Sequence, residues 1–146
     1  MYINHTRTRP ARIVLAEDDR AFARLIEIAL NRTGIPHELE LVRDGDEAIA
    51  AIHKHVKHVN VPDLLLLDLY MPGKSGFEVL EHVKQHDLLR RTPVVIFTNS
   101  DLSADVIRAY DLHANAYILK TTDFAELCRT MEITLHFWLN TATAPF

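Results

Sequence analysis

Five side chains that could take part in chemistry each stand at the end of a short apolar run: Glu17, Asp18, Asp68, Thr98 and Lys120. Carboxylates held close together repel one another and raise each other's pKa unless a cation neutralises them. Mg²⁺ is a hard cation that binds carboxylate oxygens while keeping several waters, so this set suits it. The three carboxylates therefore indicate a magnesium site, provided that the fold brings them together.

The same residues suit phosphoryl transfer. Such transfer depends chiefly on positioning and charge neutralisation, and a carboxylate can act as the nucleophile by forming an aspartyl-phosphate. Asp68 is the candidate nucleophile, because it follows a run of four leucines that predicts a strand buried on both faces. A phosphoryl group on Asp68 would lie between the metal and Lys120, and Thr98 could donate its hydroxyl to a phosphoryl oxygen.

The elements that must position these residues follow from hydrophobic patterning. Short apolar runs alternate with longer segments of helical periodicity, which is typical of a parallel sheet with crossover helices. The predicted strands are residues 12–16, 37–42, 64–67, 94–97 and 116–119. A helix is predicted after each strand, and the third helix begins with the capping-box pair Ser75 and Glu78. Because ligands of an open α/β sheet bind beyond the carboxyl ends of its strands, the reactive side chains are expected at one edge.

The chain of 146 residues fits a single domain with a complete core. Residues 1–11 are polar, contain a proline and lack periodicity, so they predict a flexible N-terminal tail. The domain is predicted over residues 12–139, and residues 140–146 form a C-terminal extension.

Composition excludes several classes of protein. The net charge of −4, with both signs interspersed, argues against nucleic acid as a partner, since nucleic-acid-binding proteins usually carry a basic face. No apolar run approaches the roughly 18 residues of a membrane span. The N-terminal arginines have no apolar stretch behind them, which argues against a signal peptide. The single cysteine, Cys128, indicates a reducing compartment, so we expect a cytoplasmic protein with no membrane partner.

Four motifs stand in order at the predicted strand ends. They are E-D-D at 17–19, D-L-Y-M-P-G-K-S-G at 68–76, F-T-N at 97–99 and Y-I-L-K at 117–120. Together they resemble the receiver domain of bacterial response regulators, over residues 12–135. The resemblance implies a flavodoxin-like, doubly wound α/β fold with five parallel strands in the order 2-1-3-4-5 and five helices. It also implies that a sensor histidine kinase donates a phosphoryl group to Asp68.

The resemblance further implies a ligand set for the metal. Asp18 binds Mg²⁺ directly, and Glu17 binds it through water. The Asp68 carboxylate and the backbone carbonyl of Tyr70 are the remaining protein ligands, and Mn²⁺ could take the place of Mg²⁺.

A switch is implied in the same way. Thr98 and Lys120 contact the phosphoryl group, which adds about two negative charges and strong hydrogen-bond acceptors. Thr98 is then pulled towards these acceptors, and Tyr117 fills the space that it leaves. The surface of helix 4, strand 5 and helix 5 changes accordingly, so that a local charge event biases a bistable element.

The residue after Lys120 departs from the family pattern. Most members have a proline there, usually preceded by a cis peptide bond, whereas this chain has Thr121. A non-proline cis bond costs about 2.5–4 kcal/mol. We therefore expect either a trans bond with a shifted loop or a strained cis bond, and the geometry of Lys120 depends on which one forms.

A closer resemblance is to single-domain receivers that partner bacterial and cyanobacterial phytochrome kinases. It rests on the segment 53–62, the stretch D-L-H-A-N-A-Y at 111–117, the pair Lys120-Thr121, and F-W-L at 137–139 followed by T-A-T-A-P. In that group, dimers form through helix 4, strand 5 and helix 5. Phe137 and Leu139 extend the apolar surface of the last helix, and a single domain rarely exposes such a patch without a partner. We therefore expect a homodimer whose interface includes Phe137, Trp138 and Leu139.

Plainer roles exist for several of these residues. The acids at 17–19 could cap a helix, because carboxylates favour helix N-termini. Tyr117 could be only a packed aromatic, Thr98 could cap the next segment, and Phe137 with Trp138 could pack on its own domain. The ordered set of motifs favours the phosphoryl site over these alternatives.

Two groups of histidines raise the question of a second metal site: His53, His55 and His58, and the i,i+4 pair His82 and His86. The first group lies among lysines and has no partnering carboxylate in the sequence. We interpret both groups as exposed, solvated faces.

The favoured function is a signalling switch without an output domain, since only a few residues follow the last predicted helix. It would act on a downstream protein or relay the phosphoryl group to a phosphotransfer partner, and it would not be an enzyme beyond self-phosphorylation and autodephosphorylation. One alternative is a Mg²⁺-dependent phosphohydrolase of the haloacid dehalogenase type, but Tyr70 stands where that chemistry needs a second aspartate. Another is an interaction module that is never phosphorylated, although such modules usually lose an acid or the lysine.

Overall fold

The computed structural model describes residues 9–58 and 60–145, so most of the predicted tail lies outside the described residues. The strands are β1 (Ala11–Ala16), β2 (His37–Val42), β3 (Leu64–Leu67), β4 (Val94–Thr98) and β5 (Ala116–Leu119). The helices are α1 (Arg20–Arg32), α2 (Gly45–Lys57), α3 (Gly76–Gln85), α4 (Ser103–Asp111) and α5 (Phe124–Leu135). The five strands form one parallel sheet in the order β2-β1-β3-β4-β5, which confirms the predicted fold. Among the described residues, no helix is long and apolar enough to cross a membrane.

The sheet separates two hydrophobic layers. Successive residues of a strand point to opposite faces, so Leu65 and Leu67 of β3 join one layer, while Leu64 and Leu66 join the other. α2 and α3 cover the first layer together with Ala109 of α4, and α1 and α5 cover the second. All four leucines are at most 1% exposed, which confirms that β3 is buried on both faces. This rigid central strand ends at Asp68.

Side-chain caps define where the helices begin. Ser75 and Glu78 form the predicted capping box at the start of α3. Asp44 caps α2 and Asp123 caps α5, each by accepting a backbone N–H of the first turn. α4 differs, because its N-cap, Leu102, makes no side-chain hydrogen bond. Within α4, all of which is described, only Ala109 is buried, so this helix is the least firmly anchored of the five.

A network of charged groups lies at the amino end of the sheet. The buried carboxylate of Asp63, just before β3, accepts hydrogen bonds from the Arg9 guanidinium at 2.8 and 3.2 Å and from the backbone N–H of Arg12 at 2.7 Å. On the same side, the Lys84 ammonium donates to the carbonyls of residues 90 and 92 and to the side chain of Asn115. These bonds join α3 to the residues that precede β4 and β5.

The end of α5 corrects one prediction. A π-helical turn, His136–Thr141, follows α5, and the N–H of Ala142 donates to the carbonyl of Phe137, five residues back. The wider turn changes the direction in which successive side chains point. Leu139 is therefore buried, at 3% exposed, and the prediction that it extends an exposed apolar surface is wrong. Phe137 is 48% exposed, and Trp138 packs partly against the core layer of α1 and α5.

Candidate functional site

The carboxyl ends of β1, β3 and β5 bring four predicted site residues together. Glu17 and Asp18 follow β1, Asp68 follows β3 and Lys120 follows β5. Carboxylate oxygens of Glu17, Asp18 and Asp68 all lie within 4.8 Å of one another. Although β4 separates β3 from β5, the long side chain of Lys120 reaches across, and its Nζ lies 2.7 Å from Glu17 Oε2 and 2.9 Å from Asp68 Oδ2.

The charges of this site do not balance. Glu17 is 1% exposed and Asp68 is 6% exposed, while Asp18 is open to solvent. Three carboxylates face one ammonium, which leaves two negative charges when all four groups are ionised. Oxygen ligands and an excess charge of this size fit one hard divalent cation.

The pKa values at the site reflect the same imbalance. Burial is the largest cause that raises the pKa of Glu17, and Asp68 adds repulsion, whereas the contact with Lys120 lowers it. Burial also disfavours the charged form of Lys120, but hydrogen bonds to Glu17 and Asp68 outweigh that effect and raise the pKa of the lysine. Lys120 is therefore held as a cation between two carboxylates at neutral pH.

The backbone around Asp68 fixes the direction of its carboxylate. Oδ1 accepts the N–H of Leu69 at 2.7 Å, which leaves Oδ2 beside Lys120. The start of α3 packs directly on this segment, and the N–H of Gly76 donates to the carbonyl of Leu69 at 2.8 Å. A Cβ atom at Gly76 would lie 2.1 Å from the Asp68 carbonyl oxygen, so only glycine allows this close approach.

Asp19, the third acid of the first motif, has a different role. Its side chain accepts the N–H of Phe22 at 3.1 Å and caps α1. Helix capping, the plainer role considered for the acids at 17–19, is therefore the role of Asp19. Glu17 and Asp18 instead lie close to Asp68.

Thr98 is the last residue of β4, the strand next to β3, and Tyr117 lies on β5, the edge strand beyond β4. Thr98 is 1% exposed, and its hydroxyl oxygen accepts the N–H of Ser100 at 3.5 Å in the loop before α4, although the N-cap of α4 itself is Leu102. The half-buried Tyr117 packs against the core layer of α2 and α3, and its hydroxyl donates to the Ser100 carbonyl at 2.7 Å. The loop between β4 and α4 is thereby tied to Tyr117.

The peptide bond after Lys120 is trans, since no peptide bond in the described part of the chain is cis. Of the two predicted outcomes, the trans bond is the one observed. Thr121 begins the approach to α5, where its hydroxyl accepts the N–H of Asp123 at 3.1 Å and donates to Glu126 at 3.2 Å. Lys120 reaches both carboxylates with this trans bond.

Sequence reasoning missed a polar bridge beside the site. The hydroxyls of Tyr70 and Ser100 both donate to Oδ2 of Asp105, each at 2.5 Å. The hydrogen bond to Asp105 is the largest cause that raises the pKa of Tyr70. The pKa of Asp105 is lowered, chiefly by the hydrogen bond from Ser100 and next by the one from Tyr70. The bridge joins the segment after β3 to the first turn of α4, and no motif in the sequence pairs these three residues.

The histidines also differ from expectation. The structure brings His53 of α2 against His82 of α3, with their Nε2 atoms 2.8 Å apart. His82 and His86 are half-buried, so the prediction that this pair is exposed is wrong. His55 does have a carboxylate partner, because its Nε2 lies 2.6 Å from Glu40, a residue of the neighbouring β2. Both contacts join residues that are far apart along the chain, so the sequence pattern did not predict them.

Comparisons with known proteins agree with this architecture. The family model for the response regulator receiver domain matches residues 13–132. Response regulator Rcp1 of Synechocystis sp. is 41% identical over 138 residues, which cover 93% of this chain and 94% of the relative.

Two solved structures extend the comparison. The phosphorylated cyanobacterial phytochrome response regulator RcpA is 42% identical, with a TM-score of 0.86 over 94% of this chain and 99% of its own. The Mn²⁺-bound form of response regulator Rcp1 is 40% identical, with a TM-score of 0.83 over 94% of this chain and 100% of its own. The similarity thus extends over almost the whole length of both chains in each pair.

Proposed function

The chain belongs to the response regulator receiver domain family, and we propose on that basis that it is a phosphorylation-controlled signalling switch with Asp68 as its phosphoacceptor. The observation that carries the proposal is the unbalanced charge around Asp68. One ammonium and three carboxylates leave an excess of negative charge that a divalent cation would neutralise, and the neutralised site could then accept a phosphoryl group.

The proposed metal ligands are Glu17, Asp18, Asp68 and the backbone carbonyl of Tyr70. The carboxylate oxygens of Glu17, Asp18 and Asp68 lie within 4.8 Å of one another, which supports the acidic part of this set. Mg²⁺ bound there would supply charge neutralisation for the phosphoryl oxygens, and the Mn²⁺-bound form of the relative Rcp1 supports a divalent cation of this kind.

In the proposed reaction, Oδ2 of Asp68 attacks the phosphorus of a phosphohistidine on a sensor kinase. A bond forms between Oδ2 and phosphorus, the bond from phosphorus to the histidine nitrogen breaks, and the nitrogen keeps the electron pair. Oδ2 is the proposed nucleophile because the backbone N–H of Leu69 holds Oδ1, while Oδ2 lies 2.9 Å from Lys120 Nζ. Lys120 would then contact an oxygen of the transferred group and offset its charge.

Thr98, Tyr117 and α4 form the proposed switch. The hydroxyl of Thr98 would donate to a phosphoryl oxygen, and Tyr117 would move into the space that it leaves. Two observations support a movable region here. The loop between β4 and α4 is tied to Tyr117 through Ser100, and α4 buries only Ala109 among its described residues.

The proposed partner is a sensor histidine kinase of the phytochrome type, since RcpA is a phytochrome response regulator. A downstream protein or phosphotransfer partner would receive the signal, and a cytoplasmic location suits the lone Cys128. A homodimer through α4, β5 and α5 also belongs to the proposal. Side chains exposed on these elements support it, namely Ile107 at 60%, Tyr110 at 48% and Leu119 at 49%, and Phe137 in the turn after α5 is 48% exposed.

Intact mass measurement after incubation with acetyl phosphate and Mg²⁺ tests the proposal. We expect one added phosphoryl group on the wild-type protein, no addition to Asp68→Asn, and no addition when Mg²⁺ is chelated. A second variant, Asp63→Asn, removes a carboxylate at the opposite end of β3 and should still gain the group. Addition to Asp68→Asn, or none to the wild-type protein with Mg²⁺ bound, would contradict the assignment.

A further inference from the structure

Two imidazole rings from different helices meet away from the acidic site. His53 lies in α2 and His82 in α3, and their Nε2 atoms are 2.8 Å apart. The ring centroids are 4.7 Å apart at an interplanar angle of 67°. His82 is half-buried and His53 is exposed, so the point where the two nitrogens meet is open to solutes.

We propose that His53 and His82 bind a divalent transition-metal cation of the Zn²⁺ or Cu²⁺ type, at a second metal site. Imidazole nitrogens suit these metals, whereas the all-oxygen set of the acidic site suits Mg²⁺. With Zn–N bonds of about 2.0–2.1 Å, two ligand nitrogens at a tetrahedral angle are about 3.3 Å apart. The two Nε2 atoms therefore need to separate by only about half an ångström to accept the metal.

Both rings must be neutral to bind a metal, and the surroundings of His82 favour that form. Burial is the largest cause that lowers the pKa of His82, followed by the charges of His53, His86 and Lys74. Without metal, the contact between the Nε2 atoms is a hydrogen bond that needs a proton on one of them. When the metal binds, that proton moves to Nδ1 of the same ring, so both Nε2 lone pairs face the cation.

His86 supports the site without serving as a ligand. Its ring packs edge-on against His53, with centroids 6.0 Å apart, and its Nδ1 accepts the N–H of Leu88 at 3.1 Å. A neutral His86 that accepts at Nδ1 carries its proton on Nε2, which leaves neither nitrogen free for a metal. Water would complete the coordination shell, and the ammonium of Lys74 would weaken binding by repulsion.

Metal binding at this site would join α2 to α3. Both helices cover the same hydrophobic layer, and a ligand that binds only the folded state stabilises it by mass action. The site is separate from Asp68, so the proposal does not depend on phosphorylation of the chain.

Calorimetric titration with Zn²⁺ in excess Mg²⁺ tests the inference, since Mg²⁺ keeps the acidic site occupied. We expect His53→Ala and His82→Ala each to weaken Zn²⁺ binding by more than about 10-fold, the scale on which even outer-shell partners of a metal act. His58→Ala, at the exposed end of the same helix, is the matched control and should bind as the wild type does. Lys74→Ala should bind Zn²⁺ more tightly.

Electron paramagnetic resonance of bound Cu²⁺ supplies a second readout that does not depend on affinity. We expect hyperfine coupling to two imidazole nitrogens in the wild-type protein and to one in His53→Ala. His53 is exposed, so this variant is expected to fold even if His82→Ala does not. Unchanged Zn²⁺ affinity in His53→Ala, or Zn²⁺ binding that is lost in Asp18→Asn, would overturn the proposal.

Discussion

The two ends of the β-sheet both bury charged groups, but they balance them differently. At the amino end, the side chain of Asp63 is 1% exposed and has the Arg9 guanidinium and a backbone N–H as partners. Lys84 at the same end has three oxygen acceptors. At the carboxyl end, Lys120 is the one ammonium found among Glu17, Asp18 and Asp68 in the described residues.

This difference separates a structural cluster from a chemical one. Burying a charge is costly unless partners compensate it, so a balanced cluster such as that around Asp63 is compatible with a purely structural role. A cluster left with excess charge strains the fold, and such imbalance is expected where a ligand supplies the missing charge. Burial of charged residues alone therefore does not mark the site, whereas their balance does.

Lys84 shows that a perturbed pKa is not sufficient to identify a functional site either. Burial lowers the pKa of Lys84 to about 8. The ammonium form nevertheless remains the stable one at pH 7, and its three N–H groups match the three acceptors around it. We therefore assign Lys84 a structural role, in which neutral oxygen acceptors compensate the burial of its ammonium.

Replacing the lysine of the carboxyl end should have the largest effect. Lys120→Met removes the group that offsets charge on the transferred phosphoryl, and we expect phosphoryl uptake to slow by about 10²–10³-fold, as when one such donor is lost elsewhere. The rate of mass gain with acetyl phosphate measures this. Lys84→Met is the control, and it should lower stability while leaving uptake near the wild-type rate; equal slowing in both variants would contradict the comparison.

Two single variants, each lacking the carboxylate at one end of β3, should differ in their free energy of unfolding. Asp63→Asn weakens charged hydrogen bonds to Arg9, and we expect the free energy of unfolding to fall by about 1–3 kcal/mol. Asp68→Asn relieves repulsion with Glu17 and should leave that free energy unchanged or higher. Urea unfolding measures both variants without Mg²⁺, and a larger loss in Asp68→Asn than in Asp63→Asn would contradict the account.

The bridge beside the site should contribute less. Tyr70→Phe removes one hydrogen bond to Asp105, which is worth about 0.5–1.5 kcal/mol, and Ser100 remains as a partner. We expect faster amide hydrogen exchange in the first turn of α4, because little else anchors that helix. Tyr110→Phe, an exposed change on α4 itself, is the control and should leave the exchange rates unaltered.

The smallest expected effect concerns acid stability. The folded-state pKa of His82 is lowered from its ordinary value of 6.5, so the unfolded chain takes up this proton more readily than the folded one. The free energy of unfolding should therefore be highest above pH 6.5 and fall as the pH drops towards the folded pKa. His82→Asn should reduce this slope in urea titrations at a series of pH values; an unchanged slope would show that other groups cause it.

The fold and the core of the site were predictable because both depend on strands. Alternating apolar and helical segments predict a parallel sheet, and the carboxyl ends of parallel strands meet at one side. A residue directly after any of these strands therefore lies within about one side chain's length of that common edge. That is why Glu17, Asp68 and Lys120 could be grouped from the sequence, even though they are far apart along the chain.

Features that depend on side-chain direction or local backbone were not predictable in this way. The contact of His53 with His82 requires the relative placement of two helix faces, and the Tyr70 bridge requires the position of the α4 start. Leu139 turns inward because of a π-helical turn, whereas the sequence pattern assumed a regular α-helix. The trans bond before Thr121 was one of two outcomes that the sequence alone left open.

The central claim is that excess negative charge at the carboxyl end binds a divalent cation, while the balanced amino end does not. Titration with Mg²⁺, followed by the amide NMR shifts of Asp68 and Lys120, tests it most directly. The account predicts one Mg²⁺ site in the wild-type protein and in Asp63→Asn, and binding at least about 10-fold weaker in Asp18→Asn. Wild-type affinity in Asp18→Asn, or no Mg²⁺ binding by the wild-type protein, would contradict it.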